Sequence, residues 1–212
     1  MPRIDFVADI NCPWCTLGFI ALDSALARLG QDPAQLVEIQ PFELNPQLGA
    51  DGVNLVEYLS KRHGMGLAQI EDIHQRLRQL GEGLGFHFAE RERLWNSFDS
   101  QRLLHWAAVE CPAGSQYALY RALIQAYQGQ ARNTSDHVVL VELVKSIGLD
   151  SDRAAEVLAG DEFAHEVRQR QQQWQQAGIN AVPSTVINHQ QLLQGAQPVA
   201  VFEKALQDLL HA

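Results

Sequence analysis

Cys12-Pro13-Trp14-Cys15 is the stretch with the most evident chemistry. Its two thiols lie two residues apart in a chain whose one other cysteine is Cys111. The pair follows a short apolar run with strand character, Ile4 to Ile10. It opens an apolar stretch with helical spacing that runs to Leu29. A thiol at a helix N-terminus meets unpaired backbone N–H groups and roughly half a positive charge. Both favour the thiolate, and cysteines so placed ionise at about 3.5–7.5 rather than about 8.5. Pro13 suits the first helical turn, where a missing N–H costs nothing. These features predict Cys12 as an exposed nucleophile and Cys15, one turn along, as the more buried resolving thiol.

Other uses of two cysteines fit less well. A structural zinc ion needs about four ligands. Cys111 stands alone and no histidine pair has ligand spacing beside it, so no metal is expected. A purely structural disulfide would close a very small loop and hardly constrain the unfolded chain. Two inert buried cysteines are the remaining alternative.

The rest of the chain must position this pair. Its 212 residues suffice for one domain with a large insertion or for two small domains. With 46% hydrophobic and 19% charged residues the balance is globular, so a sizeable core is expected. A net charge of -9 argues against a nucleic-acid partner or an anionic membrane, either of which would call for a basic patch. The N-terminal residues enter a strand pattern with no basic region followed by an apolar one, and no apolar run approaches the roughly 18 residues of a membrane span. A cytoplasmic location is the expectation. In that reducing compartment a Cys-x-x-Cys pair is more often catalytic than structural.

Ile4, Phe6, Ala8 and Ile10 alternate with Arg3, Asp5, Val7 and Asp9, which suits a buried first strand. Trp14, Leu17, Leu22, Ala25, Leu26 and Leu29 share a helix face, and Gly30 ends that helix as its C′ residue. Leu36 to Leu44 reads as a second strand, with Pro41 and Pro46 at its far end. From about Asp51 to Gly178 strand patterns vanish. The spacing there predicts helices over Leu55–His63, Gln69–Leu80, Asp99–Val109, Ser115–Gln128, His137–Ile147, Arg153–Leu158 and Glu162–Gln176. Asn54 with Glu57 resembles a capping box, and Ser135-Asp136 and Ser151-Asp152 suit helix starts. Ser184–Asn188 and Gln191–Gln194 then read as a hairpin turning at His189-Gln190. Pro198–Leu210 is a closing amphipathic helix with Val201, Ala205, Leu206, Leu209 and Leu210 apolar. The organisation expected is an α/β unit from residues 1–50 and 179–212, interrupted by a helical block over 51–178.

Four stretches carry a family resemblance. They are Asp9-Ile10-Asn11-Cys12-Pro13-Trp14-Cys15 with Leu17-Gly18, Asn96 to Leu103, Val182-Pro183-Ser184, and Gly195-Ala196-Gln197-Pro198. Together they resemble the DsbA-like branch of the thioredoxin superfamily. The likeness is greatest to FrnE-type proteins, grouped with 2-hydroxychromene-2-carboxylate isomerases and kappa-class glutathione transferases. The resemblance implies an α/β thioredoxin fold with a large all-helical insertion domain. It implies a cis peptide bond between Val182 and Pro183, placed against the dithiol, with the Val182 backbone binding an extended substrate. It further implies that Asn96 and Phe98 line a cleft between the domains. The group's isomerases and transferases generally carry serine where Cys12 stands, so two cysteines place this chain on the redox side.

The expected function is therefore thiol–disulfide exchange through a mixed disulfide, on a thiol- or disulfide-containing protein or small molecule. The alternative is a glutathione-dependent isomerase or transferase. No tightly bound cofactor is expected, glutathione is a candidate co-substrate, and the family admits a homodimer. Asp9 is a candidate proton acceptor for Cys15, or else a solvated carboxylate at a strand end. Pro13 and Trp14 are candidate substrate contacts, the indole serving as an apolar platform or as helix packing. Gly195, Ala196 and Gln197 could offer backbone N–H groups and an amide to a carboxylate such as glutathione's, or could simply form a turn. His74 and His105, on predicted helices, read as surface or satisfied core residues, and Cys111 as structural.

Overall fold

The computed structural model describes residues 3–210, with side chains described as far as Gln207. The N-terminal Met1-Pro2 and the apolar side chains expected at Leu209 and Leu210 lie outside the described residues. A four-stranded sheet in the order β2-β1-β5-β6 organises the structure. Strand β1, Ile4–Ala8, pairs in parallel with β2, Val37–Pro41, from Ile4 opposite Val37 to Ala8 opposite Pro41. On its other side β1 pairs antiparallel with β5, Ser184–Ile187, which forms a hairpin with β6, Gln191–Gln194. All five β1 residues are buried, because elements cover both faces of the sheet. Asp5 is tolerated there because Arg3 and the Gln40 amide hydrogen-bond its carboxylate. The free edge of β2 is closed by the Gln116 side chain. Its amide accepts from Ile39 N–H and donates to Ile39 C=O, both at 2.9 Å, as a neighbouring strand would.

Helix α1, Pro13–Arg28, leaves the end of β1 and ends in a left-handed Gly30 at φ +68°. Gly30 N–H bonds to Ala27 C=O and Gln31 N–H to Leu26 C=O, a Schellman closure of the helix end. The return to β2 includes a short helix absent from the sequence reading, α2, Pro33–Leu36, capped by Asp32. Leu36 is thus helical rather than the first residue of a strand, and pairing stops at Pro41 rather than Leu44.

The middle of the chain is helical as expected, with one exception. It contains α3, Leu55–His63, α4, Leu67–Gly83, α5, Phe98–Glu110, and α6, Ser115–Ile124. A π turn over Gln125–Gly129 extends α6, and α7, His137–Ser146, α8, Ser151–Ala159, and α9, Ala164–Gln176, follow. The exception is a two-residue ribbon of β3, Val53–Asn54, with β4, Arg93–Leu94. Strands this short leave no periodicity to detect. Gly52 makes the ribbon possible: a Cβ there would lie 2.4 Å from Leu94 O. Asn54 caps α3 through Glu57 N–H, Asp136 caps α7, and Asp150 rather than Ser151 caps α8. The chain closes with α10, Val199–Leu210, packed along α1.

One core runs through the sheet, α1 and the helical block. Its centre is aromatic. The Phe19 ring lies 5.8 Å from Phe6, 5.0 Å from Tyr117 and 4.8 Å from Tyr120, centroid to centroid. Strand β1, helix α1 and α6 are thus locked through one side chain. Phe19→Ala is expected to cost about 3–5 kcal/mol of stability, read from denaturant unfolding at constant slope.

Candidate active site

The backbone between β1 and α1 is held from several sides. Gln101 Nε2 donates to Ala8 C=O at 3.2 Å and to Phe42 C=O at 3.1 Å, joining the ends of β1 and β2. The π turn brings Gln128 round so that its Nε2 donates to Ile10 C=O at 2.7 Å. Asn11 Nδ2 donates to Trp95 C=O at 2.7 Å, while Asn11 Oδ1 is buried without a hydrogen-bond partner. The Asp9 carboxylate is fully buried, accepting from Asn11 N–H at 3.0 Å and Leu44 N–H at 2.7 Å. It is therefore no solvated strand-end group.

Cys12 is the N-cap of α1 and Pro13 its first residue. Cys12 C=O accepts from Cys15 N–H at 3.0 Å, so the two cysteines span the first turn. Both thiols are free. The expectation of an exposed Cys12 is corrected, since the residue is only 4% exposed and Cys15 not at all. The loop before β5 covers it, placing Val182 C=O 3.8 Å from Cys12 Sγ. The Val182–Pro183 peptide bond is cis. Gly18 lets this loop approach, because a Cβ at Gly18 would lie 3.1 Å from Pro183 Cγ and 3.5 Å from Ala196 Cα.

Burial pushes the Cys15 thiol well above its ordinary pKa, and hydrogen bonding to Cys12 and the charge of Cys12 add to that. Burial likewise raises Asp9 to about 6, against the lowering effect of its two backbone N–H donors. Cys111, half-buried at the end of α5, is raised by burial and by the charges of Glu110 and Asp150. It is the reverse of an activated thiol.

A cleft of about 330 Å³ opens beside Cys12. The first turn of α1 forms one side, with Asn11, Pro13 and half-buried Trp14. Helices α3 and α4 form the other, and Leu44, Asn45, Arg91 and Leu94 close it. Trp14 both faces the cleft and packs on the core, so platform and packing are combined. Several of these residues were not singled out from sequence: Asn11, Leu44, Asn45, Tyr58, Arg62, His63 and Arg91. Within α3, Leu55, Tyr58, Leu59 and Arg62 share a face, but such a face looks the same whether it meets core or cavity. His74, read as surface or core, is half-buried on the cleft wall, and burial lowers its pKa.

Other predicted residues are placed elsewhere. Asn96 and Phe98 do not line this cleft. Asn96 Nδ2 donates to Leu48 C=O at 2.6 Å and its Oδ1 accepts from Phe98 N–H, which organises the start of α5. The Arg168 guanidinium stacks 3.8 Å from the centre of the Phe98 ring. Gly195 N–H is taken by Pro183 C=O at 2.8 Å, and the Gln197 amide donates to Gln194 C=O at 2.5 Å. Gly195 is left-handed at φ +79°. These groups form a turn, and Ala196 packs against the apolar cluster of Leu17, Leu77, Phe86 and Phe88, its Cα close to Gly18.

A β-α-β sheet edge completed by an antiparallel hairpin, with a dithiol starting the first helix and a cis-proline loop over it, defines a thioredoxin-like protein. The family model for the DSBA-like thioredoxin domain matches residues 3–207, and the chain belongs to that family. A probable DsbA oxidoreductase from Streptomyces coelicolor is similar over 100% of this chain and 91% of its own, at 30% identity and a TM-score of 0.89. A 2-hydroxychromene-2-carboxylate isomerase shares the fold over 98% and 96% of the two chains, with 12% identity and a TM-score of 0.73. The cytosolic disulfide reductase DsbM from Pseudomonas aeruginosa, solved with glutathione, shares it over 99% and 100%, with 18% identity and a TM-score of 0.67. No curated protein matches the chain by sequence.

The buried Asp9 gives the fold a pH dependence. Its folded pKa of about 6 lies above the unfolded value of about 3.9. The folded state therefore binds this proton more tightly, an advantage complete below about pH 4 and lost as pH rises through about 6. Asp9→Asn does not titrate, so its stability relative to the native protein is expected to improve by about 2–3 kcal/mol from about pH 4 to about pH 7. Denaturant unfolding at a series of pH values checks this; a constant difference would contradict a raised Asp9.

Proposed function

We propose that the protein is a thiol–disulfide oxidoreductase in which Cys12 is the nucleophile and Cys15 the resolving thiol. The observation that carries the reading is their unequal placement. Cys12 caps a helix at the head of a cleft, and Cys15 is sealed one turn inside, its thiol strongly raised. The Cys12 thiolate attacks one sulfur of a substrate disulfide, forming a mixed disulfide and releasing one thiolate. Cys15 keeps its proton until this intermediate exists. It then attacks Cys12 Sγ, releases the second thiolate and closes the Cys12–Cys15 disulfide. The dithiol loses two electrons and the substrate gains them; the reverse sequence oxidises a substrate dithiol.

Asp9 serves this cycle as a buried base near neutral pH, taking the Cys15 proton through water or a small rearrangement. Trp14, Pro13 and the Val182 carbonyl border the reacting sulfur and orient what is bound to it. The structural likeness to DsbM, solved with glutathione, makes glutathione a reasonable partner thiol. Among the described residues no helix is long and apolar enough to cross a membrane, and this reading has the dithiol cycling in the cytoplasm.

Cys12→Ser is expected to abolish turnover of a disulfide substrate. Cys15→Ser is expected to stop at the mixed disulfide, seen as a covalent mass increase that a thiol reverses. Equal activity in both variants would contradict the reading and redirect attention to glutathione-dependent isomerase or transferase chemistry.

A further inference from the structure

The cleft beside Cys12 has the opposite electrostatic character to the protein around it. The chain carries 25 acidic residues and a net charge of -9. No Asp or Glu lines this cleft, whereas Arg62, His63, His74 and Arg91 do. Neither Arg62 nor Arg91 forms an ion pair with a carboxylate among the described residues. Arg91 rests 5.1 Å from the centre of the Tyr127 ring, which steers it without neutralising it. The charges of Glu71 and Glu90 act on His74. They line an adjoining small depression that shares His74, Leu77 and Arg91 with the cleft, and Glu71 is engaged by Arg78.

Much of the remaining lining is apolar. Trp14, Leu55, Leu59, Ile70, Ile73 and Leu77 supply most of it. At about 330 Å³ the cleft has the size of a small-molecule site. An occupant that covers these side chains must be apolar in its body, and one that satisfies the cations must carry an anionic group. Glutathione disulfide can offer its glycyl carboxylates to these cations, but it meets the first demand poorly, being polar throughout.

We infer that the cleft selects low-molecular-weight disulfides whose sulfur sits on an apolar body, aromatic or branched, that ends in a carboxylate or similar anion. This rests on the dithiol reading above and names its substrate class. Cys12 displaces one such thiolate and holds the other as a mixed disulfide, with its body on α3 and α4 and its anion at Arg62 and Arg91. Cys15 releases the second thiolate. The substrate gains two electrons, and a separate thiol reductant returns the Cys12–Cys15 disulfide to the dithiol.

Single-turnover kinetics of the reduced full-length protein test this, in a Cys111→Ser background that silences the third thiol. The probes are dithiobis(nitrobenzoate), an aromatic dianion, dithiodipyridine, aromatic and neutral, and glutathione disulfide. Each rate is normalised to that of a small free thiol, which removes intrinsic reactivity. The aromatic dianion is expected to react fastest. The Arg62→Gln, Arg91→Gln double variant is expected to slow it by about fivefold, as loss of two partly solvated charge contacts implies, with the neutral aromatic unchanged. Leu59→Ser is expected to slow both aromatic probes and leave glutathione disulfide unaffected. A normalised preference for glutathione disulfide, or a dianion rate unmoved by the double variant, would overturn the inference while leaving the dithiol chemistry standing. Failure of all three probes to oxidise the pair would overturn both.

Discussion

A buried carboxylate holds this site together. Asp9 sits where β1 ends, and it is bound by two backbone N–H groups from different directions, Asn11 just ahead of the dithiol and Leu44 just beyond β2. Removing a carboxylate from water is costly, and only such fixed donors make it tolerable. The balance is visible in the group itself: burial drives it up to about 6 although both N–H groups favour its charge. Because Asp9 must keep both donors, the ends of the two parallel strands and the start of α1 stay in register. Gln101 and Gln128 reinforce this by occupying the carbonyls of Ala8 and Ile10. The position of Cys12 follows from these contacts more than from any bond that the cysteine makes itself.

The helical block completes the site by supplying surface. Its α6 shares the aromatic core with α1 through Phe19, Tyr117 and Tyr120, so block and sheet are fused rather than tethered. Its α3 and α4 stand apart from that core and face the first turn of α1, which leaves a cleft where tighter packing would have left none. The β3–β4 ribbon sets this spacing by anchoring the start of α3 to the segment before α5. In the proposed reading, reactivity comes from the strand–helix junction and selectivity from the helical wall that carries the cations.

Much of the architecture was legible in the chain. The dithiol, the helix it opens and Gly30 as its terminator followed from local chemistry, and α3 and β6 were placed to the residue. What escaped depended on distant partners. Two-residue strands have no period, so the ribbon at Val53 and Leu94 left no trace. Helix α2 did carry Asp32 and Pro33, an ordinary cap and first residue, yet the adjoining strand pattern masked it. Exposure of Cys12 was misjudged because its cover comes from Val182, 170 residues away. Asn96 and Gln197 look like free polar groups in sequence, but in the fold each is taken by a neighbouring carbonyl. A cleft was implied by the resemblance, but with Asn96 and Phe98 as its lining; the wall that α3 and α4 supply was not legible, since a helix position such as His74 reads equally as surface or satisfied core.

The most direct test of the account is the reduction potential of the Cys12–Cys15 pair, measured by equilibrating the protein with glutathione buffers of graded redox poise. The account predicts a reversible two-electron couple confined to these two cysteines and unchanged by Cys111→Ser, with the midpoint telling whether the protein works as oxidant or reductant. If no Cys12–Cys15 disulfide forms at any attainable poise, the pair is not redox-active and the central claim fails.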